Sequence, residues 1–246
     1  MYGHTDDARL GDLLAASAHR ESDARVALLL FPHDEGVRRN GGRVGAAKGP
    51  TQFMQMAQRT GALLNREHEC DIRQLWVALH SDIGLGLSLE DAHNALTASV
   101  QKALAASQVP FVVGGGNDQS YPNARALLAH AVAHNRPVAV VNIDAHLDVR
   151  PLKEGKVHSG SPFRQLLEDE RFKPSRFVEF AAQGMQCSAV HADWLVQKGG
   201  RIVWLEAVKK MGARAAFGSV LSKFVQDDPN VLVFVSFDLD AVRSAD

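Results

Sequence analysis

The sequence predicts an α/β fold built on a parallel sheet with helices on both faces. Segments patterned as strands alternate with segments patterned as helices along most of the 246 residues, the order that produces parallel crossovers. The strand-patterned runs are apolar on both faces, which suits strands buried on both sides. Three polar clusters follow apolar runs without a break, and in open parallel sheets functional loops gather at the carboxyl ends of strands.

Taken in order, residues 25–31 read as a strand, and 32–50 as a long loop rich in Gly and Arg. Residues 51–65 have helical spacing, with Phe53, Met54, Ala57 and Leu64 broadly on one side. Residues 73–79 read as a strand. Ser88 is the expected N-cap of a helix running to about residue 106, with Asp91 three positions on, close to a capping box. Strands follow at 110–113, 138–143, 176–181, 201–205 and 231–237. Helices alternate with them at 123–133, 162–170, 189–198 and, for the most part, 208–225. No internal repeat or shift in composition marks a second domain, so one domain over residues 1–246 is expected.

Composition narrows the function classes. A hydrophobic content of 46% and a charged content of 22% describe an ordinary globular chain. A net charge of -1 makes no electrostatic case for nucleic acid or an anionic membrane. The N-terminus carries Asp6, Asp7 and Asp12 and has no apolar signal region. The longest apolar run, 26–31, is far too short to span a bilayer. Cys70 and Cys187 are the only cysteines and have no metal-type spacing, so a reduced, cytoplasmic setting is the default expectation.

The central stretch is the apolar run 137–143 ending in Asp144-Ala145-His146-Leu147-Asp148. In extended backbone, residues two apart point the same way, so Asp144, His146 and Asp148 are expected to converge just past the strand. Two carboxylates and an imidazole suit a hard-to-borderline divalent cation. Alone, such a triplet is more often a polar loop after a buried strand. Two further clusters change the balance. Val112-Val113 leads into Gly114-Gly115-Gly116-Asn117-Asp118, and Ser236-Phe237 leads into Asp238-Leu239-Asp240. If the three strands are neighbours, one site receives Asn117, Asp144, His146, Asp148, Asp238 and Asp240. So many carboxylates suit two metals sharing ligands, and the oxygen-rich set favours Mn²⁺ over Zn²⁺. The glycine triplet lacks the continuation of a phosphate-binding loop, and close backbone approach is its mundane role.

These three signatures resemble those of the arginase/agmatinase/formiminoglutamase (ureohydrolase) superfamily, in that family's order. The loop from Asp34 through Arg39, Asn40, Arg43 and Gly49 to Pro50, and the segment His158-Ser159-Gly160-Ser161-Pro162-Phe163, resemble the formiminoglutamase branch. The resemblance runs from about residue 25 to the end. It implies a three-layer αβα sandwich around a mostly parallel sheet and two Mn²⁺ ions per subunit. By motif position, Asp144 and Asp238 would bridge the metals, Asp148 and Asn117 would complete one site, and His146 and Asp240 the other. A metal-bridging hydroxide would attack the amidine carbon of N-formimino-L-glutamate, giving L-glutamate and formamide. The resemblance also implies that Asp148 carries the proton to the leaving nitrogen and that His158 exchanges protons with solvent. Arg150, two residues after Asp148, and more weakly Lys156, are the candidates for gripping substrate carboxylate. Homo-oligomers are common in the superfamily.

Three departures keep other readings open. The family usually has His where this chain has Asn117, a weaker donor. The Asp-Pro that often follows the third signature in arginases and agmatinases is replaced by Ala241-Val242. Family members continue past the position of Asp246, so a C-terminally incomplete domain is expected. Agmatinase or another guanidino hydrolase is the alternative within the enzyme class. A non-catalytic member with a weakened metal site is the alternative outside it.

Overall fold

The structure is a computed structural model that describes residues 8–17, 23–73 and 75–242. The chain divides into two compact units, Met1–Gln119 and Ser120–Asp246. Each carries a parallel sheet with helices, in accord with the expected α/β class.

In the first unit, β1 (Val26–Phe31) is the middle strand, paired in parallel with β4 (Val77–His80) and β5 (Val109–Gly114). The β1 sequence VALLLF supplies the long apolar side chains a central strand needs on both faces. Leu28 and Leu30 pack with Leu14 of α1 (Leu10–Ser17) and Ala57 of α3 (Gly49–Ala57). Phe31 points the other way, its ring 6.1 Å from that of His93 on α4 (Leu89–Ala105). Ser88 caps α4 as expected. Its Oγ accepts from the Asp91 N–H at 3.2 Å and donates to the Asp91 carboxylate at 2.7 Å. A two-residue antiparallel ribbon, β2 (Leu64–Asn65) with β3 (Cys70–Asp71), occupies part of the stretch expected to continue the α3 helix.

The glycine- and arginine-rich loop contains a short helix, α2 (Glu35–Arg39). Arg39 ties it to the first turn of α4: its Nε donates to Glu35 at 3.0 Å and its Nη2 to Glu90 at 3.1 Å. The guanidinium of Arg39 holds the Glu90 carboxyl down at about 2, and Arg38 and Arg39 do the same for Glu35. A carboxyl held below its unfolded value of 4.5 stabilises the fold above that pH, and the benefit is lost as pH falls through about 2. Solvent screens the half-exposed Glu90, so Arg39→Ala should cost only on the order of 1 kcal/mol at neutral pH. Urea unfolding of wild type and variant should show that difference shrinking to nothing between pH 4.5 and 2. A gap that persists at pH 2 would mean that Arg39 acts through packing.

The second unit holds a four-stranded parallel sheet in the order β8 (Arg201–Trp204), β7 (Phe177–Ala182), β6 (Val138–Ile143), β9 (Leu232–Phe237). One face of β6 presents Val138 and Val140 to α5 (Ser120–Ala133) and α6 (Pro162–Glu168), through Leu128, Phe163 and Leu166. The Phe163 and Phe177 rings meet at a tilt of 44°, their centroids 5.1 Å apart. The other face presents Ala139 and Val141, with Val178 and Phe180, to α8 (Leu205–Met211) and α9 (Ala213–Asp227) through Val208, Val220 and Phe224. Helices thus cover both faces, which is why β6 and β7 read as nearly continuous apolar runs. The helix expected over 208–225 is two helices, because Gly212 takes a φ of +84° between them, a value that breaks helical geometry and suits glycine. Helix α7 (Ala189–Gln197) leads into β8.

Candidate metal centre

Strands β6 and β9 are hydrogen-bonded neighbours in register from Val138↔Leu232 to Ile143↔Phe237. Pairing in that register delivers Asp144 and Asp238 side by side, each one residue past its strand. The ladder persists through the turn, with the Asp238 N–H donating to the Ile143 carbonyl at 2.9 Å and the Asp144 N–H to the Phe180 carbonyl at 3.1 Å. Two donor sets result. Asp144, His146 and Asp240 bring one ligand atom each within 4.8 Å of one another, and so do Asp144, Asp148 and Asp238. Asp144 belongs to both sets.

Local backbone differs from the extended run expected of residues 144–148. The His146 N–H folds back onto Asp144 Oδ1 at 2.7 Å, a turn closed by the aspartate side chain. Asp148 sits at φ +46°, in the left-handed region that Asp tolerates better than bulkier residues. His146 and Asp148 therefore reach their donor sets because the loop curls, not because a strand alternates, while strand pairing supplies Asp238.

Electrostatically the site is an anion cluster held together by one imidazole. His146 Nδ1 lies 3.0 Å from Asp240 and 3.4 Å from Asp144. Hydrogen bonds donated by the ring to Asp144 first and Asp240 second raise the imidazole to about 10. Burial, then the neighbouring Asp144 charge, pushes the Asp238 carboxyl up to about 6. His146 holds Asp240 below the usual carboxylate range. Four carboxylates and one imidazole at this separation suit a divalent cation with hard-to-borderline preferences, and the shared Asp144 suits a second.

Two buried polar residues that the sequence reading passed over lie beneath this cluster. Asn142 and Glu179 are both fully buried. Burial, with the Asp144 charge next, raises the Glu179 carboxyl well above its ordinary value. Cys187 donates to the Ala145 carbonyl at 3.5 Å, and burial raises its thiol to about 11.

The remaining expected residues are placed as follows. Asn117 belongs to the first unit, in the turn that follows β5. That turn is anchored by fully buried Asp118, which bonds the His93 ring at 2.8 Å. Gly36 is required there, since a Cβ on it would lie 2.0 Å from Asp118 Oδ1. Close approach also explains the glycine triplet: a Cβ at Gly115 would lie 1.7 Å from the His33 carbonyl oxygen. His158 is buried, not an exposed loop histidine. Its Nδ1 is 3.2 Å from the Gly160 N–H and its Nε2 3.0 Å from the Pro151 carbonyl. Both ring nitrogens thus brace the 151–160 loop, an arrangement that a solvent-exchanging shuttle would have to open. Arg150 is exposed, with its N–H bonded to the Gly160 carbonyl at 2.8 Å; burial first, and the Arg150 charge second, lower the imidazole of His191. Lys156 is exposed at the Lys153–Lys156 turn of the same loop.

Residues 24–245 match the arginase family model. The chain belongs to the arginase family. Among its relatives in that family is the formimidoylglutamase of Clostridium tetani, 30% identical over 223 residues that make up 89% of this chain and 59% of that protein. The Citrobacter koseri formimidoylglutamase is 33% identical, over 89% of this chain and 64% of its own length. This arginase-family chain therefore spans about 60% of the length of these relatives. Trypanosoma cruzi formiminoglutamase, solved with Mn²⁺, superimposes with a TM-score of 0.82 at 48% identity, over 88% of this chain and 71% of that one. A histidine-for-asparagine variant of the same enzyme, also with Mn²⁺, gives 0.87 at 46% identity, over 96% and 76%.

Proposed function

We propose that this protein hydrolyses N-formimino-L-glutamate to L-glutamate and formamide with two Mn²⁺ per subunit. The observation that carries the reading is Asp144, the one carboxylate common to two adjacent donor sets. The formiminoglutamases among its relatives, some solved with Mn²⁺, support the substrate and the metal. When bound, two divalent cations lower the pKa of water so that hydroxide is available near neutral pH. In this reading two cations would be held by Asp144 and Asp238 together with His146 and Asp240 for one and Asp148 and Asn117 for the other. Asp148 also carries the proton to the leaving nitrogen. Arg150, and secondarily Lys156, meet the substrate carboxylates. The family match across 24–245 supports one ureohydrolase domain spanning both units. Among the described residues no helix is long and apolar enough to cross a membrane. A cytoplasmic homo-oligomer acting on a small amidine fits the family and stays part of the proposal. The deciding experiment is an activity panel with Mn²⁺ on formiminoglutamate, arginine, agmatine and guanidinobutyrate. Preference for a guanidino substrate would move the assignment to the agmatinase-like alternative, and inertness towards all four would favour a non-catalytic member.

Two residues carry separate expectations. Asn117→His should raise Mn²⁺ retained after dialysis at one site only, because imidazole is the stronger donor at similar reach. Unchanged or lower occupancy would remove Asn117 from the ligand set. His158→Ala should leave Mn²⁺ stoichiometry intact. If His158 relays protons, kcat falls and added imidazole restores part of it. If it only braces the loop, thermal stability falls and imidazole does nothing.

A further inference from the structure

A row of polar side chains crosses the four-stranded sheet one step below the metal-binding loops. Glu179 of β7, Asn142 of β6 and Ser236 of β9 are register partners on adjacent strands. Side chains in register share a face, and Asp144 and Asp238 follow two residues later on the same strands' extensions. The row is buried: Glu179 and Asn142 have no exposure, and Ser236 has 6%. Their neighbours along β6 and β7, VAVVNI and FVEFAA, are otherwise apolar. A carboxyl and an amide in such a place are costly to bury, so their contacts show what they are retained for.

Those contacts converge on one group. Asn142 Nδ2 donates to Asp144 Oδ2 at 3.2 Å and faces both Glu179 oxygens, at 3.0 and 3.2 Å. An amide nitrogen carries two hydrogens. One reaches Asp144, and the other is shared by the two oxygens of Glu179. The Asn142 Oδ1 is buried without a hydrogen-bond partner, so the amide is oriented by its donors alone. The other Asp144 oxygen, Oδ1, accepts from the His146 N–H at 2.7 Å. Asp144 is thus oriented from one side by its own loop and from beneath by Asn142. At the far end of the row, Ser236 Oγ pairs with Ser120 Oγ at 2.8 Å, which holds the start of α5 to β9 and leaves the Asn142 amide to the two carboxyls.

We infer that Asn142, anchored by Glu179, is a positioning residue that sets the Asp144 carboxylate to serve two cations at once. The inference rests on the metal reading of Asp144 proposed above. Neither residue touches substrate; both act through the bridging ligand. Residues that orient a metal ligand from behind typically change metal affinity about 10- to 100-fold when removed.

The test is Mn²⁺ titration of the whole chain, following the free-ion electron paramagnetic resonance signal, with thermal melts alongside. Glu179→Met replaces the carboxyl with an apolar chain of similar length, which keeps the sheet packed. It should weaken both Mn²⁺ sites about tenfold. Asn142→Leu combined with Glu179→Met removes the amide and its anchor together and should weaken them further, towards the upper end of that range. Glu179→Gln, whose amide oxygen still accepts from Asn142, should stay within about threefold of wild type. A pair that merely supports the fold would lower the melting temperature and leave the Mn²⁺ affinity of the folded chain unchanged in Glu179→Met. That result would overturn the inference even if the double variant did not fold. Asp144→Ala separates the two levels: if it binds Mn²⁺ as wild type does, the metal reading itself fails. If it loses Mn²⁺ while Glu179→Met does not, only the positioning role fails.

Discussion

Asp144→Ala is expected to empty both metal sites, and with them at least about 10³-fold of activity, because the variant loses the hydroxide source outright. Asp144 is the only residue that both three-residue donor sets contain. Its removal leaves His146 with Asp240 on one side and Asp148 with Asp238 on the other, two donors apiece from this loop region. Asp240→Ala, by contrast, depletes only the set containing His146 and should cost one ion before the other. Asp238→Ala tests the second proposed bridge: loss of both ions would match bridging, whereas loss of one would confine Asp238 to the set with Asp148. Metal analysis after gel filtration, with circular dichroism to confirm folding, distinguishes these outcomes. Retention of two Mn²⁺ by Asp144→Ala would refute the ligand assignment. Acid should act in the same direction. His146 must give up a proton it holds up to about pH 10, and Asp238 one it holds up to about pH 6. A cation binds the deprotonated forms, so binding at neutral pH should release the His146 proton and affinity should fall further below pH 6. Calorimetry in buffers of different ionisation enthalpy measures the proton count.

Much of this site was legible because its sequence signals are local. Each ligand cluster abuts an apolar run, so β6 and β9 were found with their ends nearly in place, and strand pairing then brings Asp144 beside Asp238. The Ser88 cap was legible for the same reason, as its partner Asp91 lies three residues away. What escaped depends on tertiary context. Helix α2 lies in a segment, 32–50, with five glycines and little apolar periodicity, and Arg39 secures it through Glu90, 51 residues away. The sequence pattern 51–65 suggested one helix, yet α3 ends at Ala57 and a short ribbon follows. The burial of His158 was hidden because histidine is common on surfaces and the clamping groups, Pro151 and Gly160, act through backbone atoms. Asn142 and Glu179 did leave a trace: each is the lone strongly polar residue in a six-residue apolar strand. A polar residue that breaks such a run asks for a partner, and register on the neighbouring strand supplies it.

Arg150→Ala is expected to raise KM for formiminoglutamate roughly thirtyfold, a loss of about 2 kcal/mol, with Mn²⁺ content unchanged. Formiminoglutamate brings two carboxylates, and agmatine brings none. A guanidinium fork can hold a carboxylate through two parallel hydrogen bonds, which a lysine does not reproduce. Arg150 lies two residues beyond Asp148, but the positive φ of Asp148 removes strand alternation as the reason for its direction. Its backbone is held instead by the brace between its own N–H and the Gly160 carbonyl, which ties it to the loop that His158 pins. The side chain is exposed, and its positive charge is felt at His191. Arg150→Lys should recover only part of the loss, because the charge returns without the fork. Lys156→Ala, on the same loop but with a single flexible amine, should cost less. Steady-state kinetics on formiminoglutamate and agmatine for all three variants provide the measurement. If kcat/KM for formiminoglutamate is untouched in Arg150→Ala, or if the protein prefers agmatine, carboxylate recognition lies elsewhere and the guanidino-hydrolase alternative gains.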